Sequence, residues 1–110
     1  MLPAALRLGA TSNISATLRA GRRYANKYFV LHVVQTHENQ AKFAFAVSKK
    51  VGNSVIRHRI TRQLRHVVQE NLPQVPSGLH IVVRALPTVR DASFTELSVA
   101  FAQTLSKIKS

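Results

Sequence analysis

Apolar residues recur at helical spacing in three segments of the chain. From Ser54 to about Asn71 they occupy one arc of a helical wheel, about 120° wide. Its members are Ile56, Ile60, Leu64, Val67 and Val68. A second segment begins at the capping box Ser93–Glu96. Its apolar stripe consists of Phe94, Leu97, Phe101, Leu105 and Ile108. The shorter segment Thr11–Ala20 ends before Gly21, so the pattern predicts three helices.

Three further segments are rich in β-branched and aromatic residues, which is typical of strands. They are Lys27–Gln35, Lys42–Val47 and Leu79–Ala85. The polar run His37–Gln40 separates the first two, and the run Leu72–Gly78, with its prolines and glycine, precedes the third. The order helix, strand, strand, helix, strand, helix predicts an α+β fold, a sandwich of helices on a small sheet.

The central helix carries its charges opposite its apolar arc. Arg57 lies at the border of the apolar stripe, and no acidic residue occurs from Asn39 to Gln69. The charged arc consists of His58, Arg59, Arg62, Arg65 and His66. Arginine binds phosphate bidentately and stacks on bases. The pattern therefore predicts a helix whose polar face binds nucleic acid.

The residues before this helix favour a phosphate site. Lys49 and Lys50 are followed by Gly52 and then by Asn53 or Ser54, either of which suits the N-cap position. Free N–H groups at a helix N-terminus, flanked by two lysines, attract an anion. We therefore expect this end of the helix to contact phosphate groups.

Net charge narrows the class of partner. The chain has 110 residues, of which 45% are apolar, which is ordinary for one globular domain spanning residues 1–110. Sixteen Lys and Arg against four Asp and Glu give a net charge of +12. Such an excess favours nucleic acid or an anionic membrane as the partner. No apolar run approaches the ~20 residues that a membrane helix needs, and we expect nucleic acid, with no membrane, as the partner.

The same composition argues against several kinds of site. The chain has no cysteine, which excludes disulfides and cysteine-based metal sites. Its four carboxylates lie in different segments, and its five histidines lack the paired spacing of metal ligands. We expect no catalytic residue, metal or cofactor in the protein alone. The start of the chain lacks the features of a secretion signal, which predicts a soluble intracellular protein.

The segment SKKVGNSVIRHRITRQLR resembles the signature of the protein subunit of bacterial ribonuclease P, in which a lysine-rich turn leads into an arginine-rich helix. The matching residues are Ser48, Lys49, Lys50, Gly52, Asn53, Val55, Arg57, Arg59, Arg62 and Arg65. The resemblance spans nearly the whole chain. It departs at His58, where the family usually has asparagine, and at Thr61, where the family often has lysine. It departs again at Ile14 and Leu18, where relatives commonly carry phenylalanine.

The resemblance implies both a fold and a function. The fold is a two-layer α+β sandwich with a small mixed sheet, in the order α-β-β-β-α-β-α, with a short strand near Arg23–Asn26 and a left-handed βαβ crossover. The implied function is that of the protein component of the ribonucleoprotein endoribonuclease that removes the 5′ leader from precursor tRNA. The RNA subunit of that enzyme is the catalyst and holds magnesium, so the protein alone is expected to be inactive. The implied partners are the catalytic ribonuclease P RNA, with one protein per RNA, and precursor tRNA, in the bacterial cytoplasm.

Two binding surfaces follow from the resemblance. The candidates for binding the catalytic RNA are Lys49, Lys50, Asn53, Arg57, His58, Arg59, Arg62 and Arg65. The second surface is a cleft between the first helix and the sheet, where relatives bind the single-stranded leader. Its candidates are Ile14, Leu18, Tyr28, Val30 and His32, the last three placed on one sheet face by strand alternation. Arg84, which ends a buried strand, could contact RNA or cap the sheet edge.

The residues alone leave three other functions open. A ribosomal-protein-like RNA-binding module, with no role in cleavage, would have the same small size, high pI and lack of catalytic groups. A helix-turn-helix DNA regulator would also carry an arginine-rich helix, although here a loop and a strand follow that helix. A stand-alone ribonuclease with a His–Lys acid–base pair is the third alternative.

Overall fold

Three helices and four strands make up the computed structural model of the chain, which describes residues 6–8 and 11–109. The helices are α1 (Thr11–Ala20), α2 (Ser54–Glu70) and α3 (Phe94–Lys109). The strands are β1 (Arg22–Ala25), β2 (Phe29–Gln35), β3 (Lys42–Ala46) and β4 (Leu79–Ala85). No helix in these ranges is both long enough and apolar enough to cross a bilayer. The predicted element order and α+β class are confirmed, and β1 is the short strand that the resemblance implied.

The strands form one mixed sheet in the order β1-β2-β4-β3. β2 pairs antiparallel with β1 and β4, whereas β3 runs parallel to β4. A parallel pair needs a long crossover, which α2 provides. The carboxyl ends of β3 and β4 therefore lie side by side, with Ala46 opposite Arg84, where the chain leaves the sheet toward α2.

One face of the sheet packs against α2 and α3. Phe29 and Leu31 of β2 are fully buried in this main core, and the Phe29 ring lies 6.2 Å from that of Phe101 on α3, centroid to centroid. The buried members of the α2 stripe are Ile60, Leu64, Val67 and Val68, and those of α3 include Leu97, Phe101 and Leu105. Burying each such side chain contributes about 1.5–3 kcal/mol, so the stripe fixes the rotation of α2 and turns its polar face outward. Both predicted apolar stripes are confirmed.

The opposite face of the sheet is covered by α1. Leu8, Ala44 and Val82 form a small buried cluster there, and Ile14 and Leu18 of α1 pack against it. The sheet and the α2–α3 pair are thus the two main layers, and α1 adds a partial layer on the other side.

Two strand boundaries differ from the prediction. β2 begins at Phe29 instead of Lys27, because Oδ1 of Asn26 accepts hydrogen bonds from the backbone N–H groups of Tyr28 (2.8 Å) and Phe29 (3.0 Å). This turn holds the chain out of the sheet until Phe29. β3 ends at Ala46, one residue earlier than predicted.

Candidate nucleic-acid interface

The lysine turn, residues 48–51, precedes α2 and is fixed by its own backbone. Lys50 N–H donates to Oγ of Ser48 (3.3 Å), and Val51 N–H donates to the Ser48 carbonyl (3.0 Å). Val51 is fully buried in the main core, whereas Lys49 and Lys50 are exposed. The buried valine therefore anchors a turn that presents two ammonium groups to solvent.

Asn53 is the N-cap of α2. Its Oδ1 accepts from Ile56 N–H at 3.0 Å, which satisfies one of the free donors of the first turn. Ser54, the other candidate cap, is the first residue of the helix. A Cβ at Gly52 would lie 2.9 Å from the Ile56 side chain, so this close approach favours glycine. The oxygen of Asn53 is engaged in capping, and its amide nitrogen is the group left to contact a phosphate.

The outward stripe of α2 is a row of exposed side chains. Arg59 and Arg62 are exposed, with His58 and His66 beside them. Val55 lies on the same stripe and is 75% exposed. Side chains three or four residues apart on a helix are neighbours, so the two guanidinium groups lie close enough to contact one anionic partner. Their predicted outward orientation is confirmed.

The inner stripe of α2 consists of Arg57, Thr61 and Arg65 and faces β3, the last strand of the sheet. All three are half-buried. The guanidinium carbon of Arg65 lies 5.9 Å from the centroid of the Phe45 ring, and Oγ1 of Thr61 donates to the Arg57 carbonyl (2.8 Å). The helical wheel predicts Arg65 on the outward arc. This prediction is wrong, because Arg65 packs against Phe45 of β3, and a helical wheel contains no information about contacts with other elements.

Arg57 and His58 border a cavity of about 240 Å³ between β3 and α2. Phe45 and Val47 line its other side. Nε of Arg57 is buried and has no hydrogen-bond partner among the residues that the structure describes. A buried N–H without a partner is a donor that a ligand could satisfy. Arg57 therefore lies at the border of the apolar stripe, as predicted, and faces a groove.

The acidic residues do not neutralise the basic surface of α2. Glu38 pairs with Lys42 (2.9 Å) and with His80, and hydrogen bonds from these two residues lower the pKa of its carboxyl. Glu96 accepts from the Ser93 backbone N–H (2.9 Å) in the capping box of α3, which lowers its pKa as well. In residues 6–8 and 11–109, no ion pair joins α2 to a carboxylate. The positive field of the helix is therefore available to an anionic partner.

The cleft between α1 and the sheet is largely filled by side chains. Ile14 and Leu18 are half-buried against the small cluster, and Val30 and His32 of β2 are 7% and 3% exposed. Val30 and His32 lie on the α1-facing side because they alternate with residues of the main core. The structure thus brings four of the five cleft candidates to one side of the sheet.

Tyr28, the fifth candidate, lies on the other side. Its ring packs against the main core, and its hydroxyl donates to Oε2 of Glu96 on α3 (3.2 Å). The prediction that Tyr28 shares a sheet face with Val30 and His32 is wrong. The turn at Asn26 keeps Tyr28 outside the strand, so strand alternation does not extend to it.

Arg84 joins the α1-facing side of the sheet to the lysine turn. Its Nε donates to Nε2 of His32 (3.1 Å), which links β4 to β2. Arg84 also lines a groove of about 750 Å³ at the carboxyl ends of β3 and β4, together with Ser48 and Lys50. Burial first, and then the charges of Arg84 and Arg23, lower the pKa of His32. The only sequence signal for this arrangement was a lone arginine in the apolar strand segment LHIVVRA.

The metal-binding side chains are dispersed. No group of three or more His, Asp or Glu residues in the described ranges could hold a metal ion. Magnesium requires several oxygen ligands in one place. Glu38 and Glu96 already make the contacts given above, so these residues do not fit a magnesium site in the protein.

The sequence matches the Ribonuclease P family over residues 2–109. The ribonuclease P protein component of Acidothermus cellulolyticus is 40% identical over 110 residues, which cover 98% of this chain and 92% of the relative. That of Corynebacterium diphtheriae is 42% identical over 115 residues, covering 98% of this chain and 97% of the relative. These relatives match the chain along almost all of its length and theirs.

Solved structures share the fold. The RNase P protein from Thermotoga maritima has a TM-score of 0.85 at 20% identity, covering 94% of this chain and 98% of that one. The RNase P protein of Staphylococcus aureus has a TM-score of 0.83 at 22% identity, covering 94% and 95%. Sequence and fold together show that the chain belongs to the ribonuclease P protein family, whose members are the protein components of the tRNA-processing endoribonuclease.

Proposed function

We propose that the chain binds the catalytic RNA of ribonuclease P through α2 and the lysine turn. The observation that carries this proposal is the exposed pair Arg59 and Arg62, which no ion pair neutralises among the described residues. The proposed surface comprises Lys49, Lys50, Asn53, Arg57, His58, Arg59, Arg62 and Arg65. A buried stripe fixes the backbone of the helix before binding, and the planar guanidinium of an arginine loses less side-chain entropy per hydrogen bond than an ammonium group does.

The protein acts in this proposal by binding, and the RNA subunit performs the chemistry. A net charge of +12 between two RNAs reduces their mutual repulsion and releases counterions. The protein thereby raises the affinity of the catalytic RNA for precursor tRNA and for magnesium. We assign the magnesium-binding sites to the RNA subunit. We further propose one protein per RNA and a location in the bacterial cytoplasm.

The α1-facing cleft is proposed to receive the 5′ leader of precursor tRNA. Ile14 and Leu18 are half-buried and offer apolar contact to a base, without the aromatic stacking that contributes about 1–3 kcal/mol per base elsewhere. Val30 is buried and adds little to this contact surface. His32 is too deeply buried to form much of the contact surface. Leader affinity should therefore depend mainly on charged groups at the rim of the cleft.

Reconstitution tests the proposed function. The protein is combined with a bacterial ribonuclease P RNA, and 5′ cleavage of a precursor tRNA is followed at low magnesium. Protein plus RNA should cleave faster than RNA alone, and protein alone should cleave nothing. If the protein adds nothing to several such RNAs, the proposed role in cleavage is wrong and an RNA-binding module of the ribosomal type becomes the better description. Cleavage by protein alone would overturn the assignment of the chemistry to RNA.

A further inference from the structure

His32 and Arg84 form a side-chain pair on the α1-facing side of the sheet. Nε of Arg84 donates to Nε2 of His32 at 3.1 Å. An imidazole nitrogen accepts a hydrogen bond only through a free lone pair, so His32 is neutral in this pair and carries its proton on Nδ1. With Nε engaged by His32, the two terminal amino groups of the Arg84 guanidinium remain as donors for a ligand.

The surroundings of Arg84 suit an anion. The groove that it lines at the carboxyl ends of β3 and β4 also contains Ser48, Lys50 and Pro87, and no acidic residue. In the described ranges, no carboxylate pairs with Arg84 or with Lys50. Two cations thus face one groove of about 750 Å³ without a counterion from the protein.

We propose that Arg84 binds a backbone phosphate of the single-stranded 5′ leader and that His32 is a positioning residue, which orients the Arg84 guanidinium without touching the RNA. This inference rests on the proposed function, because it assigns a charged contact to the leader-binding cleft. His32 is only 3% exposed, so it is suited to act on the arginine and not on the ligand. An arginine held at one nitrogen loses less conformational freedom when it binds a phosphate.

The register of the sheet supports this assignment of roles. Arg84 is opposite Val30 on β2 and opposite Ala46 on β3, so its neighbours on both strands are small or apolar. Within the sheet, His32 is the residue whose side chain accepts from the guanidinium. The imidazole is therefore the group that fixes the direction of the guanidinium toward the groove.

The test uses the holoenzyme reconstituted with ribonuclease P RNA. The quantity measured is the leader ratio, which is the affinity for a precursor tRNA divided by the affinity for the same tRNA without its leader. Four variants are compared, namely His32→Leu, His32→Gln, Arg84→Gln and the double variant His32→Leu/Arg84→Gln. Arg90→Gln is the matched control, because Arg90 is an exposed arginine in the 3₁₀ turn that follows β4.

Arg84→Gln should lower the leader ratio about tenfold, as expected for losing a charge-assisted hydrogen bond to phosphate. His32→Leu should lower it by a similar or smaller factor. His32→Gln keeps an acceptor near Nε2 and should restore most of the ratio. The double variant should be no worse than Arg84→Gln alone, because His32 acts through Arg84. Arg90→Gln should leave the ratio unchanged.

An unchanged leader ratio in Arg84→Gln would overturn this inference, and so would additive losses in the double variant. Circular dichroism melts identify any unfolding of His32→Leu, in which case Arg84→Gln and His32→Gln still decide the question. A wild-type holoenzyme with no leader dependence would show instead that the proposed leader-binding function is wrong. The two failures are therefore distinguishable.

Discussion

Arg65 packs against Phe45, with its guanidinium carbon 5.9 Å from the centroid of the ring. This contact joins the C-terminal half of α2 to the edge strand β3 and buries part of the arginine stem. Arg65 therefore has two roles, because it both packs against the fold and contributes charge to the proposed RNA surface. Arg62, one turn earlier and fully outward, has only the second role.

Arg65→Ala should reduce both stability and RNA affinity. Loss of the cation–π contact should lower the free energy of unfolding by about 0.5–1 kcal/mol, measured by urea denaturation. Arg62→Ala removes the same charge from the outward stripe and should leave the free energy of unfolding unchanged. Equal stability of the two variants would show that the Phe45 contact contributes nothing to the fold.

The double variant Arg59→Ala/Arg62→Ala should bind ribonuclease P RNA more weakly while keeping its native circular dichroism spectrum. With ~6 phosphate contacts in the wild type, log affinity should fall against log salt with a slope of roughly −4 to −5. Losing two contacts should make the slope shallower by about 1.5.

Arg90→Ala/Lys107→Ala is the charge-matched control, since both residues are exposed and lie outside α2. It should keep the wild-type slope. If both double variants change the slope equally, the effect arises from net charge and the outward stripe is not the binding surface.

Ile60→Asp should unfold the domain. Ile60 is 1% exposed in the main core, and a carboxylate there loses apolar contacts and is buried without a partner, which should cost more than about 3 kcal/mol. The matched variant Val55→Asp changes an exposed residue of the same helix and should melt close to the wild type. A cooperative, native-like melt of Ile60→Asp would contradict the assignment of the apolar stripe to the core.

Stability should decrease as the pH falls from 7 toward 5, and His32 should account for part of the decrease. Burial and the charges of Arg84 and Arg23 lower the pKa of His32 in the folded protein. The unfolded chain therefore takes up the proton first, near pH ~6.5. The resulting loss in the free energy of unfolding grows as the pH falls, until the pH passes the folded-state pKa of His32. The lowered pKa values of Glu38 and Glu96 affect the stability of the fold in a more acidic range, near and below the ordinary carboxyl value of 4.5.

Free energies of unfolding at a series of pH values measure this effect. His32→Gln cannot take up the proton and should show a flatter profile between pH 7 and 5. His37→Gln removes an exposed histidine and is the matched control. Identical profiles for the wild type and His32→Gln would exclude His32 as the source.

Periodicity and residue type were sufficient to predict the three helices and strands β2, β3 and β4, because each long element buries one stripe or face. The short strand β1 was implied only by the family resemblance. It could not predict which strands pair, since nothing local in Lys42–Ala46 distinguishes an edge from a central position. Tyr28 was misplaced because its backbone N–H donates to Oδ1 of Asn26, and this turn delays the start of β2 to Phe29. The role of Arg84 depends on His32, which lies 52 residues away in the sequence, and a helical or strand pattern contains no information about such a contact.

The interior position of β4 has a consequence for the order of folding. β4 is the last strand in the sequence, yet it lies between β2 and β3. During synthesis, β1 and β2 can pair as soon as they emerge, but β3 has only its single bridge to Arg7 until β4, which ends at Ala85, has left the ribosome. Until then α2 lacks the completed sheet on which its apolar stripe packs, and its arginines are already exposed to cellular RNA. Docking of the central strand should therefore be the late step that fixes α2, and with it the proposed RNA-binding surface, in place.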